Sequence, residues 1–218
     1  MSEKLRILVT GFEPFPGAPY NPTQPLVARL TKLRRPALDD VERFGHIFPV
    51  TYSAVDRQLP ELLKEYRPDA LLMFGLAART SFLRIETRAR NAVTMLWPDA
   101  ENARVRKGTI AGTADAMNFG PHTERLLRAA LGTGIDARTS NNAGSYLCNY
   151  LSWRAIEATS REDGPHLAAF VHVPLLARDG APRQKGSSRI TLDGLVDAGE
   201  AMLLEVVKLT RSAARETA

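Results

Sequence analysis

Short, largely apolar runs recur along this 218-residue chain, and they constrain its fold more than any other feature. Residues 70–74 read ALLMF, residues 167–173 read LAAFVHV, and Ile7-Leu8-Val9 forms the centre of a third run at residues 5–10. Strands buried on both faces have such continuous apolar sequences, which are typical of parallel sheets covered by helices. Segments with helical features separate the runs. This alternation predicts an α/β fold with a parallel or mixed sheet between two helical layers.

The same patterns predict the individual elements. Asn21 is a typical N-cap followed by Pro22 at a first helical position, and Ser53 is a second cap before a helix that contains Pro60. Residues 97–118 read mostly as loop. The predicted strands cover residues 5–10, 46–51, 70–74, 135–140 and 167–173, with one or two strands or a hairpin within 81–95, and the predicted helices cover residues 21–33, 53–66, 121–131, 145–159 and 192–213.

Charge and composition argue against several classes of protein. The net charge is +5 and the pI is about 9.6, but the basic residues are scattered and their densest group is only Lys32, Arg34 and Arg35, so we expect no nucleic-acid partner. The apolar stretch near the N-terminus is too short for a signal peptide, and no apolar run approaches the roughly 18 residues of a membrane helix. We therefore expect a cytoplasmic protein without membrane contact, with one domain over residues 1–218.

The single cysteine, Cys148, excludes an internal disulfide and is a candidate nucleophile. It follows a predicted strand end and a small polar turn at residues 141–144, and the next helix is predicted to begin at Ser145. With Ser145 as N-cap, Cys148 lies in the first turn, where the helix dipole and free N–H groups favour a thiolate and a developing oxyanion. The alternative is that Cys148 fills a gap in the core.

A nucleophilic thiol needs a base, and His172 is the best placed of four histidines. It lies near the end of an apolar strand, at the sheet edge where functional groups collect in α/β folds. The alternative is a core histidine that is satisfied by hydrogen bonds. His46 is predicted near a strand start on the opposite edge, and His122 and His166 are predicted on the surface.

Glu86 is a candidate for the group that orients the imidazole. Arg84, Arg88 and Arg90 share its parity along a predicted strand. The residues alone therefore favour a surface glutamate that forms ion pairs.

The loop TGFEPFPG at residues 10–17 begins like a nucleotide-binding turn. Its glycines are separated by five residues, and neither a G-x-G-x-x-G pattern nor a Lys-Ser/Thr ending is present. Pro14 and Pro16 also remove N–H donors that a phosphate would need. Phe12 and Phe15 on this stiff turn suit the walls of a pocket for a flat, neutral ring, with core packing as the alternative.

Four segments resemble pyroglutamyl peptidase I, a family of cysteine peptidases also called pyrrolidone-carboxylate peptidases. They are residues 10–23, 75–91, 140–151 and 170–174, and their order and spacing match over nearly the whole chain. The Ser-Asn-x-Ala-Gly-x-x-x-Cys-Asn pattern within SNNAGSYLCNYL is fairly specific to that family. The resemblance implies a single-domain α/β/α sandwich with a mostly parallel mixed sheet.

The resemblance also implies an activity, the removal of an N-terminal pyroglutamyl (5-oxoproline) residue from a peptide through an acyl-enzyme. It makes Cys148 the nucleophile, His172 the base and Glu86 the orienting group. The implied partner is a peptide with a blocked N-terminus, no cofactor or metal is needed, and a homotetramer or homodimer is expected. The implied substrate-binding residues are Phe12, Phe15, Asn21, Leu76, Tyr146 and Leu147.

The chain departs from the family in its middle segment. The family's Gly-Gln-Ala-Gly-Gly-Arg is GLAART at residues 75–80, and the arginine after the glutamate is Thr87. Leu96 stands where an arginine lining the active site is expected, and leucine donates no hydrogen bond. Reduced activity and altered acyl specificity, as in a divergent amidase or peptidase, are therefore both open. A nucleotide- or nucleoside-binding protein and a non-catalytic member of the fold are further alternatives.

Overall fold

The computed structural model describes residues 4–15, 17–176 and 190–216, with side chains up to residue 213; Pro16 of the first loop lies outside this range. Strands and helices alternate along most of the described chain as predicted, but four strands follow one another without a helix between residues 70 and 118. The strands are β1 (Leu5–Phe12), β2 (Val41–Phe48), β3 (Ala70–Leu76), β4 (Leu83–Glu86), β5 (Arg88–Arg90), β6 (Ala116–Asn118), β7 (Ala137–Ser140) and β8 (Leu167–Val173). The helices are α1 (Thr23–Thr31), α2 (Tyr52–Tyr66), α3 (His122–Leu131), α4 (Leu147–Thr159) and α5 (Leu192–Glu216).

Six of the strands form one sheet in the order β2-β1-β3-β8-β4-β7, and β5 pairs with β6 in a separate antiparallel ribbon. The pairs β1–β2, β1–β3, β3–β8 and β4–β7 are parallel, whereas β4 runs antiparallel to β8. The sheet is therefore mixed and mostly parallel, and the predicted α/β architecture is confirmed. The reversal between β8 and β4 matters for the site, because it pairs Arg84 on β4 with His172 near the end of β8.

Side chains alternate between the two faces of the strands and thereby divide the core into two layers. On one face, Val9 and Phe74 pack with residues of α1, α3 and α5. On the other face, Met73 and Phe170 pack with residues of α2 and α4. Gly75 near the end of β3 and His172 near the end of β8 continue the second pattern. They therefore lie on the face of the sheet that α4 covers.

The second strand and its following helix differ from prediction in their boundaries. The structure has β2 at Val41–Phe48 rather than at residues 46–51, because Pro49 cannot donate to a strand ladder. Thr51 is the cap of α2 and accepts a bond of 3.2 Å from the Ala54 N–H, so the predicted cap at Ser53 is wrong. Pro60 lies on the exposed side of α2, which continues through it.

Candidate functional site

Cys148 is the second residue of α4. The helix begins at Leu147 with Tyr146 as its N-cap, so the predicted cap at Ser145 is displaced by one residue. The carbonyl of Ser145 instead accepts a bond of 2.6 Å from the Thr94 N–H, which holds Ser145 in the segment before the helix. The first N–H groups of a helix have no partner within it, so the half-buried thiol lies at the positive end of α4.

Gly75 on β3 allows the Cys148 sulfur to approach the sheet. A Cβ atom added to Gly75 would lie 2.7 Å from Cys148 Sγ and 2.7 Å from Phe170 Cζ, closer than non-bonded atoms approach. Any other residue here would push the start of α4 away from the sheet. Gly75 pairs in register with His172 on β8, so the sulfur and the imidazole lie over the same part of the sheet.

His172 is buried between an acidic side chain and the thiol. Its Nδ1 lies 2.7 Å from Glu86 Oε1, and Cys148 is near enough to interact electrostatically with the ring. Since Nδ1 faces Glu86, Nε2 is the nitrogen left for the thiol. Burial alone would lower the pKa of His172, but Cys148 and Glu86 favour the imidazolium and together raise the pKa to about 9. The three side chains therefore stand in the order thiol, imidazole and carboxylate, which a nucleophile–base–orienter relay requires.

Glu86 is fully buried, so its interpretation as a surface glutamate is wrong. Part of that interpretation holds, because Arg84 forms an ion pair with Glu86 Oε1 at 2.9 Å. Glu86 is buried because β4 is an interior strand, and its antiparallel register places Arg84 directly opposite His172. Among the described residues, the second carboxylate oxygen, Oε2, has no hydrogen-bond partner.

The other three histidines do not join this relay. His46 lies late in β2 rather than near a strand start, and its Nε2 is 2.8 Å from Gln58 Oε1. His122 was predicted on the surface, but it is half-buried and its Nε2 lies 2.8 Å from the Ala168 carbonyl, with burial lowering its pKa. His166 is exposed, as predicted.

Sequence reasoning assigned no role to Asn149, although it belongs to the Cys-Asn pattern. It is fully buried in α4, where its Nδ2 donates to the Arg90 carbonyl at 2.8 Å and to the Ala92 carbonyl at 2.9 Å. Its Oδ1 accepts from the Arg90 N–H at 2.9 Å. Asn149 thus ties the helix that carries the thiol to the β5 segment, and a polar residue on the buried face of a helix was the available signal.

Residues 94–99 form a segment beside the start of α4. The Tyr146 hydroxyl donates to the Pro98 carbonyl at 3.0 Å. Asp99 is buried and accepts from the N–H groups of Tyr52, Glu101 and Ala103. These bonds give Pro98 and Asp99 structural roles. Leu96 is 75% exposed, so the position at which the resemblance leads one to expect an arginine is apolar and open to solvent.

The two phenylalanines of the first loop have different environments. Phe12 is buried, and its ring centroid lies 6.1 Å from that of Phe48. The alternative of core packing therefore holds for Phe12. Phe15 is half-buried, and its backbone is paired with that of Ala18. Both side chains belong to the apolar layer that also contains Leu147, Tyr146 and Cys148. Four of the six predicted substrate-binding residues therefore share the face of the sheet that carries the thiol.

The remaining two predicted substrate-binding residues are placed differently. Asn21 is not the cap of α1, which begins at Thr23 with Pro22 as N-cap. Its buried amide accepts from the Thr23 N–H at 3.1 Å and donates to the Glu13 carbonyl at 3.2 Å, so it supports the first loop. Leu76 ends β3, and side-chain alternation puts it on the face opposite Gly75.

Two features are absent from the described part of the chain. No group of three or more His, Cys, Asp and Glu side chains there has the proximity that metal ligands require. No helix in residues 4–15, 17–176 and 190–216 has both the length and the apolar character needed to cross a membrane.

Comparisons with known proteins agree with the fold and identify the family. The pyroglutamyl peptidase family model matches residues 5–208. The chain is 32% identical over 173 residues to a pyrrolidone-carboxylate peptidase of Pyrococcus furiosus, covering 79% of this chain and 82% of that one. Its identity to the pyrrolidone-carboxylate peptidase of Pseudomonas fluorescens is 30% over 185 residues, covering 83% and 84%.

Solved structures give the same result. The pyrrolidone carboxyl peptidase of Thermococcus litoralis superposes with a TM-score of 0.85 at 25% identity, covering 95% of this chain and 96% of that one. The enzyme of Fervidobacterium islandicum gives a TM-score of 0.85 at 28% identity, covering 94% and 99%. The chain therefore belongs to the pyroglutamyl peptidase family.

Proposed function

We propose that this protein is a cysteine peptidase that removes an N-terminal pyroglutamyl residue from peptides. The observation that carries the proposal is the relay from Cys148, at the start of α4, through buried His172 to buried Glu86. A chain of this family that had lost catalysis would have no need to keep an acidic side chain buried at the end of that relay. The same contacts give a nucleotide-binding role no support.

The chemistry follows from the positions of the three groups. His172 takes the thiol proton, and the Cys148 thiolate attacks the acyl carbon of the pyroglutamyl residue. Charge that develops on the carbonyl oxygen is stabilised by N–H groups of the first turn of α4. The imidazolium then protonates the leaving amine, and the shortened peptide departs. His172 next removes a proton from water, whose oxygen attacks the thioester carbonyl. The C–S bond breaks, pyroglutamate is released, and the imidazolium returns its proton to the Cys148 thiolate, while Glu86 holds the ring in position.

The proposed pocket suits an uncharged ring. Phe15 and Tyr146 are half-buried in the apolar layer that also contains the thiol, and Phe12 and Leu147 are buried in the same layer. A lactam offers no charge for an ionic contact, so apolar walls suit it. Asn21 supports the loop that carries Phe15. The Leu76 side chain is placed away from the sulfur, so any part it plays in binding falls to its backbone.

The first test compares a fluorogenic pyroglutamyl amide with the matching prolyl amide. The two rings have the same size, but proline lacks the lactam carbonyl and carries a charged nitrogen that an apolar pocket disfavours. We expect kcat/KM to be about 100-fold higher, or more, for the pyroglutamyl amide. Equal rates would contradict the proposed specificity. No hydrolysis together with rapid alkylation of Cys148 would indicate another acyl substrate, and an unreactive thiol would indicate a non-catalytic protein.

Separate alanine substitutions distinguish the roles of Phe12 and Phe15. Phe12→Ala is expected to lower the free energy of unfolding by about 3–5 kcal/mol because it empties a filled site in the core. Phe15→Ala is expected to raise KM about tenfold with little change in kcat, since a contact worth about 1.4 kcal/mol would be lost from the substrate. Urea unfolding and steady-state kinetics measure the two effects, with Phe12→Leu as a control that keeps most of the volume. An unchanged KM in Phe15→Ala would assign both rings to the core.

We also propose that residues 1–218 form one domain, that the protein acts in the cytoplasm and that it forms a homotetramer or homodimer. The described strands all belong to one sheet and one ribbon, which supports the single domain. A free catalytic thiol is maintained most readily in a reducing compartment. Sedimentation velocity distinguishes the 24.0 kDa monomer from a dimer or tetramer.

A further inference from the structure

Three arginines on β4 and β5 hold the turn that precedes the nucleophile. The Arg84 guanidinium donates through one nitrogen to Ser140 Oγ at 2.6 Å and to the Asn142 carbonyl. Arg88 Nε donates to the Asn141 carbonyl at 2.9 Å. An Arg90 guanidinium nitrogen donates to the Gly144 carbonyl at 3.0 Å. We call these three side chains, Arg84, Arg88 and Arg90, the arginine clamp.

The clamp fixes the orientation of successive peptide groups in the turn. In a trans peptide the N–H points opposite to the C=O, so a carbonyl held toward an arginine directs the following N–H the other way. The bonds to the carbonyls of Asn142 and Gly144 thereby set the directions of the N–H groups of Ala143 and Ser145. The turn leads directly into the first turn of α4, so the clamp also fixes the approach of the chain to Cys148.

Arg84 has a second role because it reaches the buried carboxylate. Arg84 and His172 share the same oxygen of Glu86, at 2.9 and 2.7 Å, while Oε2 has no partner among the described residues. A buried carboxylate requires a positive partner to remain charged. The charged or titratable groups that face it are Arg84 from β4 and His172 from β8, with Cys148 from α4 beyond the imidazole.

This clamp stands in a segment where the chain departs from the family pattern. Thr87 occupies the position after Glu86 where the family has an arginine, and its hydroxyl donates to the Ser140 carbonyl at 3.0 Å. Leu96 occupies the position of a second expected arginine. We propose that Arg84 is a positioning residue that keeps the Glu86 carboxylate charge-paired and, with Arg88 and Arg90, holds the turn at residues 140–144 in its catalytic conformation. The proposal rests on Cys148 being the nucleophile.

The test is the pH dependence of Cys148 alkylation by iodoacetamide, together with kcat/KM for the pyroglutamyl amide, in Arg84→Met. Removing a positive charge favours proton binding by every neighbouring group, so both limbs of the kcat/KM profile and the rise of the alkylation rate with pH should move to higher pH by about one unit. We also expect kcat/KM to fall about 10- to 100-fold, mainly through kcat, because the turn loses its fixed position. Arg84→Lys keeps the charge, so its limbs should stay in place while kcat still falls.

Arg138→Met is the matched control. Arg138 pairs in register with Arg84 on the next strand, but it is exposed and bound to Asp136. Unshifted limbs in folded Arg84→Met, or an equal shift in Arg138→Met, would overturn the proposal. If the methionine variant does not fold, Arg84→Gln removes the same charge and keeps a donor, so it decides the outcome. The alkylation profile needs no substrate, so absent hydrolysis in the wild type would reject the proposed function without removing this test.

Discussion

Hydrolysis of a pyroglutamyl amide is expected to disappear when Cys148 is replaced by alanine. The acyl-enzyme cannot form without the sulfur, and no other group can take its place, because the chain has no second cysteine. By comparison with the removal of nucleophiles from other relays, the loss in kcat should be about 10⁶-fold. The proposed substrate pocket should change little in this variant, since the thiol is small and only half-buried.

The measurement pairs steady-state hydrolysis with mass spectrometry of the acylated protein. Wild-type protein quenched during turnover should carry one acyl group on the peptide that contains Cys148, and Cys148→Ala should carry none. A variant that turns over within tenfold of the wild type would exclude the thioester mechanism. Cys148→Ser serves as a structural control, because an oxygen occupies less space above Gly75 than a sulfur does.

Alanine at His172 is expected to lower kcat/KM by about 10²- to 10⁴-fold, the range typical of a lost general acid–base catalyst. The alkaline limb of the wild-type profile should lie near pH 9, where the imidazolium loses its proton, and it should vanish in His172→Ala. Glu86→Gln should move that limb to lower pH, because Glu86 helps to raise the pKa of His172. His166→Ala, an exposed histidine outside the relay, should reproduce the wild-type profile.

The same pKa predicts a pH dependence of stability. The pKa of His172 is about 9 in the folded protein, above the ordinary value of 6.5, so the folded state binds the proton more tightly than the unfolded chain. This contribution is fully present below about pH 6.5 and is lost as the pH rises through about 9. The Tm of the wild type should therefore fall more between pH 6 and pH 10 than the Tm of His172→Ala. An equal fall in the Tm of both proteins would show that His172 is not the source of this pH dependence.

The sequence predicted the features that depend on local pattern. The apolar runs of β3 and β8 identified two interior strands, which the structure shows to be neighbours, and the small polar turn before Cys148 correctly indicated a helix start. The displacement of the cap from Ser145 to Tyr146 depends on a bond from Thr94, which lies far away in the chain. No local pattern contains that information.

The position of Glu86 shows more clearly what local pattern leaves out. The alternating charges of Arg84, Glu86, Arg88 and Arg90 are those of an exposed strand, and only the pairing of β4 between β8 and β7 buries the carboxylate. That pairing joins residues far apart in sequence and includes one reversal of direction. The family resemblance supplied Glu86, whereas the contacts of the clamp required coordinates.

The separation of the site residues along the chain has a consequence for folding. Gly75, Glu86, Cys148 and His172 come from four different elements, and the bond between Glu86 and His172 closes a loop of 86 residues. Contacts of such long range form late, because the chain loses much conformational entropy before they stabilise it. A refolding chain that has regained its helices but has not yet inserted β4 beside β8 contains every residue of the proposed relay but not the relay itself. Enzymatic activity therefore reports the completion of the central sheet, which helical circular dichroism cannot do.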